Sequence, residues 1–112
     1  MSYNIYTTDF FDKELKKLSK KYPSLKYDYK NLIDSLTEEP KQGIPLGKDC
    51  YKIRMPISSK GKGKSSGSRV ISCIKLVAGS VFLLSIYDKG DKNTISDKEL
   101  NNLLRLAGLL IE

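Results

Sequence analysis

No histidine occurs among the 112 residues, which excludes a mixed Cys/His metal site. Cysteine is nearly absent as well. Cys50 and Cys73 lack the paired spacing of a zinc site and read as buried, reduced thiols of a cytoplasmic protein rather than a disulfide. Neither a metal nor a cofactor is therefore expected. The chain also lacks any hydrophobic run long enough to cross a bilayer, so no membrane partner is expected. Its opening, "MSYNIYTTDFF", has polar residues where the apolar region of a secretory leader belongs, and no leader is expected. What remains is 39% apolar residues in a short chain, enough for one modest core and one domain over residues 1–112.

Acids are scarce in one place only. From Lys48 to Arg69 seven lysines and arginines face the single acid Asp49, whereas the rest of the chain nearly balances. Almost all of the net charge of +7 is thus concentrated in a hairpin-sized segment. Such a local excess fits either an anionic partner such as nucleic acid or a lysine-rich loop kept for solubility. Within it, "SKGKGKSSGSRV" contains "GKS" but does not form a phosphate-binding P-loop. Ser58 stands where the first glycine is needed, and the β-branched run "RVISCIKLV" follows where a helix is needed.

Along the chain, "YNIYTT" reads as a short strand over Tyr3 to Thr7, with Thr8 or Asp9 capping a helix from about Phe10. Phe11, Leu15, Leu18 and Tyr22 recur at helical spacing, Pro23 interrupts, and Ser24 stands where a second helix would be capped. That helix carries Leu25, Tyr29, Leu32, Ile33 and Leu36 on one face and stops before Pro40. "EPKQGIPLG" reads as a loop. "CYKIRMPI" alternates as a strand, with Lys52 and Arg54 on the face away from Tyr51, Ile53 and Met55. A strand from about Arg69 to Val77, a tight turn at Ala78-Gly79 and the apolar strand "SVFLLSIYD" follow. Ser96 and Glu99 stand in capping-box spacing before a last helix with Leu100, Leu103, Leu104 and Ala107 inward. The order predicts an α+β domain: two N-terminal helices packed on a small, mainly antiparallel sheet, with a C-terminal helix.

The segments "LKKLSKKYPSLKYDYKNLIDSL", "YKIR", "GKGK" with "SRVI", and "LLSIYDK" followed by "ISDKEL" resemble, in their order and spacing, the RelE/ParE toxin superfamily. The similarity is greatest to the HigB-like RelE branch of type II toxin–antitoxin systems. The resemblance implies a RelE-like fold and a ribosome-dependent mRNA endonuclease that needs no metal and is silenced by a cognate antitoxin, expected to be of helix-turn-helix type. The implied reaction is attack by a ribose 2′-OH on the adjacent phosphodiester, leaving a 2′,3′-cyclic phosphate and a 5′-OH. It needs a base, cations for the charge that develops on phosphorus, and an acid for the leaving oxygen. A ParE-like gyrase inhibitor, or a non-catalytic module binding antitoxin or nucleic acid, are the alternative expectations.

On this resemblance the catalytic candidates are Lys52, Arg54, Arg69 and Tyr87. Arg69 matches the arginine opening the family's "RVI" strand, and its planar fork suits a phosphate. Lys52 and Arg54 share a strand face; either can bind phosphate, and a lysine crowded by cations can also serve as a base. Tyr87 can stack on a base or exchange a proton. Lys60, Lys62, Lys64, Lys89 and Lys92 are expected to hold ribosome or mRNA by sequence-independent attraction. A two-residue turn at Ala78-Gly79 would put Arg69 opposite Asp88 and bring Tyr87, Asp88 and Lys89 beside it, with Lys92 on the following turn; Asp88 is read as an ion-pair partner orienting a cation.

Overall fold

The computed structural model describes residues 2–60, 66–92 and 94–109. Its elements are β1 (Asn4–Thr7), α1 (Asp9–Lys21), α2 (Leu25–Glu38), β2 (Ile44–Gly47), β3 (Cys50–Met55), β4 (Ser68–Lys75), β5 (Ser80–Asp88) and α3 (Asp97–Leu106), with a 3₁₀ turn at Ser58–Lys60. The strands form one sheet in the order β1-β5-β4-β3-β2. β1 runs parallel to β5, and the other neighbours are antiparallel. The expected α+β architecture is present.

Alternation along the strands divides the core in two. Ile53, Met55, Val70, Val81, Leu83 and Ile86 face α1 and α2, meeting Phe11, Leu25, Leu32 and Leu36. The intervening residues Cys50, Ile71, Cys73, Leu84 and Tyr87 face α3, meeting Leu100, Leu103 and Leu104. α1 starts where Thr8 accepts from the Phe11 N–H at 3.0 Å, and α3 starts in the capping box of Ser96 and Glu99. Cys50 and Cys73 are paired across β3 and β4, and both are free, buried thiols.

Three local expectations are corrected. Ser24 occupies the cap position of α2, but its hydroxyl makes no capping bond and instead joins Asp28 and Ser59. The stretch taken for a loop contains the edge strand β2, which turns into β3 through Lys48-Asp49. Both turn residues have positive φ, the geometry of a type I′ hairpin, without the glycine that usually signals it. Pro45 is tolerated because β2 lies at the sheet edge. Gly43 is required: at φ +92° a Cβ would lie 2.2 Å from the Lys52 carbonyl oxygen.

The third correction is the register of β4 and β5. Their turn spans four residues, since Lys75 pairs with Ser80, and β5 bulges so that Ile71 faces Ser85 while Ser72 faces Leu83. The two effects together place Arg69 opposite Tyr87 and Ser68 opposite Asp88. One step of register exchanges sheet faces, so Tyr87 rather than Asp88 is the direct cross-strand partner of Arg69.

Candidate functional site

At the end of the sheet nearest the basic segment, Arg54 on β3, Arg69 on β4 and Tyr87 on β5 form one cross-strand row. Lys52 lies two residues along β3 on the same face, opposite Ile71. Arg54 is exposed and Lys52 half-buried, whereas Arg69 and Tyr87 retain only 4% and 8% of their accessible surface. Burial, and then the Arg54 cation, push the Arg69 guanidinium below the ordinary arginine value, with Tyr87 acting in the opposite sense. Arginine stays charged under such shifts, so the fold keeps two cations directly opposed on neighbouring strands. The two cations repel each other, and an anion lying against both would offset that repulsion. Arg69 Nη1 donates to the Ser68 carbonyl at 3.1 Å, which orients the guanidinium.

Burial pushes the Tyr87 phenol up; Arg69 opposes this, while Glu99 and Glu14 add to it. The phenol is therefore protonated at neutral pH, and its buried hydroxyl has no hydrogen-bond partner among the described residues. Lys92 Nζ lies 5.4 Å from the Tyr87 ring centroid and pairs with Glu99. Behind Tyr87 a cleft of about 220 Å³ opens between α1, β5 and α3, with Glu14 in its lining. Glu14 Oε1 accepts from the Ser85 hydroxyl at 2.8 Å and from the Ile86 N–H at 3.1 Å. β1 pairs no further along β5 than Leu83, so Glu14 satisfies an edge amide that has no strand partner. Burial pushes its carboxyl up, against the Ser85 and Ile86 hydrogen bonds and the Lys92 charge. Sequence reasoning missed Glu14, one of three acids in α1 beside Asp9 and Asp12, with no pattern that sets it apart from them.

The basic segment is anchored on the opposite face. Lys60 is not a free loop cation: its ammonium pairs with Asp88 at 2.9 Å, donates to the Ser66 carbonyl at 3.3 Å and sits 4.9 Å from the Tyr22 ring centroid. Burial pushes the Asp88 carboxyl up, but the Tyr22 hydroxyl (2.5 Å), Lys60 and the Gly90 N–H (2.9 Å) outweigh it and hold it at about 2. Asp88 thus orients a cation as expected, though Lys60 rather than Arg69. A second buried carboxylate, Asp28 on α2, accepts from the Ser58 N–H and hydroxyl at 2.9 and 2.5 Å and from the Ser24 hydroxyl at 2.9 Å. Gly67 closes the far side, where a Cβ would lie 2.4 Å from the Met55 carbonyl oxygen. Lys89 follows β5, and its backbone N–H donates to the Gly67 carbonyl at 3.1 Å. Lys62 and Lys64 lie outside the described residues.

Of the expected residues, Arg54, Arg69 and Tyr87 are therefore brought together, with Lys52 and Lys92 beside them. Among the described residues, no three Asp, Glu or Cys side chains converge in a way that would hold a metal ion. No described helix is long and apolar enough to cross a membrane.

No protein-family model and no curated protein matches the chain by sequence. Solved structures do match. A free-state mutant of the Escherichia coli toxin RelE superposes with a TM-score of 0.61 at 22% identity, covering 83% of this chain and 90% of its own. A chain of the intact E. coli RelBE toxin–antitoxin complex gives 0.60 at 22%, covering 78% of this chain and 96% of its own. The Mycobacterium tuberculosis RelBE2 toxin–antitoxin complex gives 0.57 at 15%, covering 79% and 92%. The chain has the fold of the RelE toxins.

Proposed function

We propose that this chain is the toxin of a type II toxin–antitoxin system, on the HigB-like side of the RelE/ParE superfamily, and that it cleaves mRNA on the ribosome in the cytoplasm. The observation that carries the reading is the Arg54–Arg69–Tyr87 row on a RelE fold. Two opposed guanidinium groups suit the non-bridging oxygens of a phosphodiester, whose charge grows as a fifth oxygen approaches phosphorus. Attack by the 2′-oxygen forms a P–O2′ bond and breaks the P–O5′ bond. The 2′-OH gives up its proton to solvent water, and the departing 5′-oxygen gains one. Tyr87, held protonated beside Arg69, donates to the leaving oxygen, and Lys52 supplies a further cation on the same face.

The partners follow from this reading. Ribosome and mRNA provide the phosphate surface for the basic segment, including Lys62, Lys64, Lys89 and Lys92. An antitoxin of helix-turn-helix type silences the protein. Neighbours solved as toxin–antitoxin complexes support an antitoxin in general terms. The test is to incubate purified protein with translating ribosomes and map mRNA 5′ ends. New 5′-OH ends within A-site codons are expected. Intact mRNA together with blocked gyrase supercoiling would replace this reading with the ParE-like one.

A further inference from the structure

Resting on the nuclease reading, we propose that the cleft behind Tyr87 is a nucleobase pocket for the nucleotide next to the scissile phosphate, and that Glu14 selects bases carrying an exocyclic amino group. The cleft shares Tyr87 with the phosphate row, so a chain bound by Arg54 and Arg69 has the cleft within reach of its adjoining base. Its 220 Å³ would hold about seven waters, room for a single base. The aromatic rings of Phe10 and Tyr87 and the side chain of Leu103 provide the flat, apolar walls on which a base packs. Phe10 is 41% exposed, a large ring left at the protein surface. Tyr87 is more than nine-tenths buried, with an unpartnered hydroxyl.

The polar side chains lining the cleft are Glu14, Ser85, Lys92, Glu99 and Asn102; Lys92 and Glu99 are paired with each other, and Glu14 sets the selectivity. Glu14 Oε1 is occupied by Ser85 and Ile86, whereas among the described residues no hydrogen bond engages Oε2. A carboxylate oxygen in a base pocket accepts from an amino group: N4 of cytosine, N6 of adenine or N2 of guanine. Uracil has no amino group, and its N3–H lies between two carbonyl oxygens that a carboxylate repels. The pocket therefore favours cytosine, adenine and guanine over uracil. Glu14 is a specificity residue here and takes no part in breaking the phosphodiester.

Glu14→Gln tests the assignment directly. The glutamine carbonyl can keep the Ser85 and Ile86 contacts, leaving its NH₂ to replace an acceptor by a donor. Cytidine and uridine 3′-monophosphates are titrated into the full chain and followed by amide chemical shifts. Wild type is expected to bind the cytidine nucleotide about tenfold more tightly, with shifts at Ser85, Tyr87 and Leu103. In Glu14→Gln that preference disappears or reverses. Phe10→Ala weakens both nucleotides without changing their ratio, which keeps the test open if Glu14→Gln does not fold. Equal binding of the two nucleotides by wild type, an unchanged ratio in folded Glu14→Gln, or undiminished binding by Phe10→Ala would each overturn the pocket. Cleaved mRNA without base preference removes the pocket and leaves the nuclease; base-selective binding without cleavage does the reverse.

Discussion

Asp88→Asn isolates the contact that ties the stem of the basic segment to the sheet. The Asp88 carboxyl, ordinarily titrating near 3.8, is held at about 2 by Tyr22, Lys60 and Gly90 against the effect of burial. At about 1.36 kcal/mol per pH unit, the difference corresponds to about 2 kcal/mol of folding free energy at neutral pH. The folded-state value is depressed, so this stabilisation is complete above the unfolded-state value and is lost as pH falls toward 2. About half of it should be gone at pH 3. Lys60 is shifted up by the same contact, and its share is lost only as pH rises beyond the ordinary lysine range; it is therefore not an additional term in acid. Urea unfolding of wild type and Asp88→Asn, followed by circular dichroism at pH 7, 4 and 3, measures the gap. We expect about 2 kcal/mol at pH 7, narrowing to about 1 kcal/mol at pH 3. Lys60→Met should cost only part of this, because Tyr22 and Gly90 still hold the carboxylate, and the double mutant should cost little more than Asp88→Asn alone. A gap that stays constant from pH 7 to pH 3 would refute the electrostatic origin, and a gap below about 0.5 kcal/mol would refute the anchor itself.

Arg69→Ala should abolish growth arrest while the protein remains folded, since loss of one transition-state donor costs about 2.7–4 kcal/mol; folded protein that still cleaves mRNA would remove Arg69 from the site. Arg54→Ala should impair cleavage without loss of thermal stability, because Arg54 is exposed; single-turnover cleavage beside a melting curve checks both. Replacing Lys62 and Lys64 with alanine should reduce the salt dependence of ribosome binding by up to about 1.4 in log–log slope, whereas Lys60→Ala should lower stability more than slope. Gly67→Ala should destabilise by about 2 kcal/mol, because the added methyl meets backbone at 2.4 Å rather than a side chain that can move; an unchanged urea midpoint would contradict this.

Much of the fold was legible because periodic burial and local chemistry act over a few residues. The Phe11–Leu15–Leu18–Tyr22 stripe, the Thr8 cap, the Ser96–Glu99 capping box and the alternation of Cys50–Met55 each report their element without reference to the rest of the chain. The same alternation placed Lys52 and Arg54 together on the outer face of β3. What tertiary structure alone decided are relations between distant segments. A four-residue turn and a bulge in β5, neither carrying a distinctive residue pattern, chose Tyr87 instead of Asp88 as the direct cross-strand partner of Arg69. The β2–β3 hairpin went unseen because Lys48 and Asp49 adopt positive φ without glycine, in a conformation stabilised by the strand pairing they connect. Lys60 reads as one more loop cation until Asp88 and Tyr22, from two other elements, converge on it. Glu14 reads as a surface acid until the end of β1 leaves the Ile86 amide without a strand partner. Sequence determined which residues are apolar, charged or conformationally free; packing determined which of those charges lost their water and which partners they met instead.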